Sequence, residues 1–69
     1  VSLNALISTS VSDAKITLEG QLASNPYYTA RMAIDLLEII QKHEGQASRR
    51  KMAAAIVRKA AKAMEGGEA

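Results

Sequence analysis

The stretch Lys15-Ile16-Thr17-Leu18-Glu19-Gly20-Gln21-Leu22 decides how this chain is read. Ile16, Leu18 and Leu22 fall in one phase of a period-two pattern, and Lys15, Thr17, Glu19 and Gln21 fall in the other. Apolar and polar residues that alternate in this way predict a half-buried β-strand over 15–22. Gly20 shares the apolar phase and marks a weak far end or a bulge. A strand needs a partner, because each buried backbone group left unpaired costs about 1–3 kcal/mol. Upstream, Ser12-Asp13-Ala14 lacks the Asn-Gly or Asp-Gly signal of a tight hairpin. The expectation is therefore pairing between this strand and its copy in a second chain.

Downstream, Ser24-Asn25-Pro26 punctuates the chain. Asn25 is suited to cap a helix, and Pro26 to occupy its first turn, where a missing N–H costs nothing. A helix is predicted over 26–43, ending near Gly45 as a left-handed C-terminal cap. At about 100° per residue, Tyr28, Met32, Leu36, Ile39 and Ile40 share its apolar sector with Ala33 and Leu37. That sector is wider than one partner helix needs. Gln46-Ala47-Ser48 forms the next joint, with Ser48 as the expected N-cap of a helix over 49–64. Met52, Ala53, Ile56, Val57, Ala60 and Met64 make its inner face, while Lys51, Arg58, Lys59 and Lys62 make a basic outer stripe. Residues 1–13 mix aliphatics with Ser8, Thr9, Ser10, Ser12 and Asp13, which reads as an extended or mobile arm. Residues 66–69 read as a frayed tail.

Composition narrows the classes. A chain of 69 residues without cysteine has one small core and no disulfide or cysteine-containing metal site to reinforce it. Chains this short bury only about 60% of the surface their unfolded form exposes, which favours a homodimer. His43 is the one histidine and cannot build a metal centre alone; beside the end of the first helix it reads as a dipole partner. No run approaches the roughly 18 apolar residues of a membrane span, and the opening residues lack the basic start of a signal peptide. The expectation is a soluble, cytoplasmic protein with no membrane partner. The net charge is only +2, but Arg49 to Lys62 holds six cations and no acid. Such a segregated segment is the footprint of a polyanion-binding face, or simply a solvated helix surface. Nothing resembles a nucleophile–base arrangement, a phosphate-cradling glycine loop or a metal motif. No enzymatic activity, cofactor or small-molecule substrate is expected.

The alternating Lys15-Ile16-Thr17-Leu18, the following helix, the Gly45 joint and the run from Ala47 to Ala60 resemble the ribbon-helix-helix (Arc/MetJ-type) DNA-binding proteins. The resemblance implies a mainly α fold with one short strand, in a domain over 14–65. Two such chains form a homodimer whose antiparallel ribbon enters the major groove of double-stranded DNA and regulates transcription, as a repressor or otherwise. It implies base readout by Lys15, Thr17 and Glu19, with Gln21 at the ribbon's limit. Phosphate would be held at the second helix's start by Ser48, Arg49, Arg50 and Lys51. The dimer core would be Ile16, Leu18, Met32, Leu36, Ile40 and Ile56. Two features depart from the family: the long first helix, and Glu19, an acid on the presumed groove face. The bland alternatives are solvent-facing strand residues, plain capping by Ser48, and core packing for Tyr28 and the methionines. The rival class is a small helical protein-interaction module, adaptor or antitoxin-like, which explains the wide apolar face but leaves the basic stripe unexplained.

Overall fold

The structure, a computed structural model, describes residues 2–66. Those residues form four helices and no strand: α1 (Leu3–Ser8), α2 (Val11–Leu22), α3 (Pro26–Ile40) and α4 (Ala47–Gly66). Val1 and 67–69, most of the expected tail, lie outside the described residues. The fold expectation is thereby corrected. The segment 15–22 is the body of α2, and a ribbon-helix-helix fold has no strand here to build on.

Two patterns compete within α2. Ile16, Leu18 and Leu22 alternate, but Ala14 and Leu18 sit four residues apart, with Val11 one turn before and Leu22 one turn after. The second set is the one that packs: Ala14 and Leu18 are fully buried, Val11 and Leu22 half-buried, and Ile16 is 68% exposed. A helix also satisfies its backbone groups within its own chain, so the unpaired edge that called for a second chain does not exist.

The serine-rich opening is likewise helical rather than an extended arm. Ser2 accepts a hydrogen bond from the Ala5 backbone N–H at 3.2 Å, and Ser10 accepts one from Asp13 at 3.1 Å. Both are side-chain N-caps, and Asp13 adds a carboxylate in the first turn of α2, where the helix dipole favours it. The clustered hydroxyls that read as turn formers mark where two helices start.

α3 begins as the sequence predicts, with Pro26 at its first position, although Asn25 makes no side-chain cap bond. It stops at Ile40, earlier than the expected 43, and the chain turns through Gly45, whose φ of +78° is the left-handed value that glycine accommodates. α4 starts at Ala47, so Ser48 lies inside the first turn rather than at the expected N-cap. The Gln46 carbonyl, one residue ahead of α4, accepts from the Arg50 N–H at 2.9 Å.

The helices run up, down and up. Thr9 meets Arg49 and Glu19 meets Lys59, both pairs 40 residues apart, so α2 and α4 are parallel and closely in register. α3 runs against α4 and shares the most extensive contact with it. α1 closes the end where α2 and α4 begin and α3 finishes. The molecule measures 40 × 18 × 16 Å. Leu6, Leu18, Leu36, Ile40 and Ile56 are each no more than 1% exposed and carry most of the apolar burial, at about 1.5–3 kcal/mol per side chain. Small Ala14, Ala33, Ala53 and Ala60, all at 0%, let the helices approach. Four of these large residues, with Met32 and the exposed Ile16, were expected as the core of a dimer. Leu18, Met32, Leu36, Ile40 and Ile56 instead form the core of a single chain. The wide apolar sector of α3 is narrower in fact, since Tyr28 and Ile39 are 46% and 40% exposed while Thr29 is buried, donating to the Asn25 carbonyl at 2.7 Å.

A candidate anion-binding face

The six cations of α4 divide into two groups by position on the helix. Arg49 points inward and is 8% exposed. Its Nη1 donates to the Leu6 carbonyl at 2.5 Å, its Nη2 to the Thr9 carbonyl at 2.8 Å, and its Nε to Gln46 Oε1 at 3.0 Å. Arg50 Nη1 donates to the carbonyls of Ile40 and His43 at 3.3 and 3.2 Å. Each arginine thus stands at the C-terminus of another helix, α1 for Arg49 and α3 for Arg50, where free carbonyls and the negative dipole end favour a cation. Two cations at a helix start are locally unfavourable, and these carbonyls offset that cost inside the molecule. The phosphate-binding set expected from sequence is therefore not brought together: Arg49 is buried with its donors on two carbonyls and Gln46, Arg50 is half-buried with Nη1 on two carbonyls, and Ser48 and Lys51 stay exposed.

The second group faces solvent. Lys51, Arg58, Lys59 and Lys62 are all exposed, and Lys51, Arg58 and Lys62 stand at i, i+7 and i+11, one line along the helix. At 1.5 Å rise per residue that line is about 16 Å long. Lys59 leans toward α2, where its Nζ pairs with Glu19 Oε2 at 2.5 Å. This is the one salt bridge among the described residues. The Lys59 hydrogen bond holds the Glu19 carboxyl below its ordinary value against an opposing desolvation, with the charges of Lys59 and Lys15 also lowering it.

The residues expected to read bases are dispersed by the helix. Lys15 and Glu19 share a face at i and i+4, but Thr17 lies about 200° from Lys15 and faces another way. Gln21 is half-buried, and its Oε1 is enclosed without a hydrogen-bond partner. A polar ribbon surface does not exist. In its place, Lys15 and Glu19 form one wall of a groove whose other wall is Lys51, Ala55 and Lys59 on α4. Sequence reasoning missed this groove because it rests on α2 being a helix. The spacing of Val11, Lys15 and Glu19 was the available signal.

Among the described residues no helix is long and apolar enough to cross a membrane, and no group of three or more His, Asp or Glu residues is placed to hold a metal ion. Neither a protein-family model, a curated protein nor a solved structure matches this chain.

Proposed function

We propose that this chain binds double-stranded DNA through the exposed cationic line of α4, by contacts to the phosphate backbone. The observation that carries the reading is that Lys51, Arg58 and Lys62 are exposed, aligned and free of any carboxylate partner among the described residues, whereas Arg49 is buried and Arg50 is half-buried against the end of α3. Lys15, exposed on the adjacent α2, adds a fourth cation beside the line. Phosphate contacts of this kind supply affinity and orientation without reading sequence. An α-helix also fits the major groove, so the same face is compatible with base contacts. This is a binding role rather than catalysis.

The test is a salt series on a duplex of random sequence. Four phosphate contacts correspond to a slope of log affinity against log salt of roughly −3 to −4. Arg58→Gln or Lys62→Gln is expected to shallow that slope by about one unit each, with the fold unchanged. Binding that ignores salt, or no binding at low salt, refutes the reading.

A second reading has one observation in its favour. Ile16 and Tyr27 are 68% and 69% exposed, more than large apolar residues of a closed core usually are. A protein-interaction module would use them, and its binding would survive salt that abolishes a phosphate contact. Scattered single apolar residues are normal on a surface, however, which favours the cationic face.

A further inference from the structure

We infer that the groove between α2 and α4 is a binding site for a small amphipathic anion, a carboxylate carried on an apolar body. Because α2 and α4 run parallel with an offset of 40 residues, Val11 lies opposite Lys51, Lys15 opposite Ala55 and Glu19 opposite Lys59. The two helices bracket a cavity of about 350 Å³, open along one side. That volume falls within the range of small-molecule sites.

Its chemistry is divided along its length. The floor is apolar: Met52 and Ile56 are buried beneath it, and Ala55 is too short to fill the space above them. The rim is cationic. Lys15 and Lys51 stand on opposite walls about one turn apart, exposed and with no acidic partner in a salt bridge among the described residues. At the far end Glu19 and Lys59 bridge the walls and close the groove with a neutralised pair. From Lys51 to Lys59 the helix rises about 12 Å. The layout suits a headgroup held between Lys15 and Lys51, with an unbranched apolar body lying over Met52, Ala55 and Ile56 toward the ion pair. A neutral apolar molecule would leave the two lysines unused, and a fully polar anion would leave the floor uncovered.

The groove shares Lys15 and Lys51 with the proposed DNA-binding face but not Arg58 and Lys62, which do not line it, and the test uses the protein without DNA, so either reading can fail alone. Decanoate is the probe and decan-1-ol its uncharged counterpart, each followed by backbone amide shifts in a nitrogen-labelled sample. Decanoate is expected to saturate with a dissociation constant of about 1 mM or tighter, and decanol to bind roughly tenfold more weakly. The shifts should centre on Val11, Lys15, Ala55 and Ile56. Lys15→Gln and Lys51→Gln should each weaken decanoate roughly two- to fivefold without moving decanol, and Lys51→Arg should restore it. Ala55→Leu, which fills the floor on a helix-favouring side chain, should abolish both, with the helical circular dichroism retained. Equal binding of decanoate and decanol overturns the inference. So does a response centred on exposed Ile16, Tyr27, Tyr28 and Ile39, or no saturable response in the folded protein.

Discussion

Replacing Arg49 with alanine separates the structural use of this cation from a surface role. The side chain donates to two carbonyls, Leu6 and Thr9, at the end of α1, across more than 40 residues of sequence in one case and 40 in the other. A hydrogen bond from a charged donor contributes about 1.5–3 kcal/mol, so the two that hold α1 would set a ceiling near 3–6 kcal/mol, the third bond, to Gln46, lying within the start of α4 itself. Two effects lower that figure. Burying a guanidinium to 8% exposure carries its own desolvation cost, with α1's carbonyl end rather than a carboxylate as its compensation. Thr9 is also only half-buried, so water can replace part of its bond. The expected loss is about 2–3 kcal/mol. A domain of this length has a total stability of roughly 3–10 kcal/mol, so the variant should unfold at a clearly lower urea concentration. Circular dichroism through a urea titration measures the loss, and amide exchange locates it: protection should fall first in α1. Arg49→Lys should recover less than half, because one ammonium cannot hold two carbonyls in a fork. A cycle with Leu6→Ala should be non-additive, since both changes release the same helix. An Arg49→Ala protein within about 0.5 kcal/mol of wild type would refute the anchoring argument, because that is the range of a neutral surface change.

Three further outcomes follow from α2 being helical. Gly20→Ala should stabilise by roughly 0.5–1 kcal/mol in urea melts, because the added Cβ meets nothing within 4 Å and the helix loses a flexible residue; destabilisation there would speak against a helix at 15–22. Ile16→Asp should leave a folded protein, since the side chain is 68% exposed, while Leu18→Asp at 0% exposure should prevent folding. A strand would bury both, so an unfolded Ile16→Asp chain counts against the helix. The Glu19–Lys59 pair should be legible in acid: the folded-state carboxyl titrates below its ordinary value of 4.5, so the pair's contribution is complete above that value and is lost as pH falls through the depressed one. Glu19→Gln should remove the pair's small contribution at neutral pH, flatten the acid side of the stability profile, and match the wild type once pH falls below the depressed value.

Residue types and local spacing were enough to determine the α3 and α4 helices. Pro26 after Asn25, the recurrence of Met32, Leu36 and Ile40, and glycine at 45 all act within a few residues, so their physics can be read without knowing the partner. The absence of cysteine and the separation of cations from acids after Arg49 are equally local. Residues 11–22 were a different matter. Their apolar residues satisfy a two-residue period in one subset and a helical one in another, and Ile16 belongs only to the first. What selects between them is packing: Ala14 and Leu18 reach a core supplied by α3 and α4, and Ser10 supplies the cap. The roles of Arg49 and Arg50 were decided at the same level. As sequence they are a basic pair at a helix start, chemically ready for phosphate. Only the arrival of the carbonyl ends of α1 and α3 beside them, brought by chain reversal rather than by any neighbouring residue, ties Arg49 and Arg50 to backbone and leaves Lys51, Arg58 and Lys62 as the exposed line.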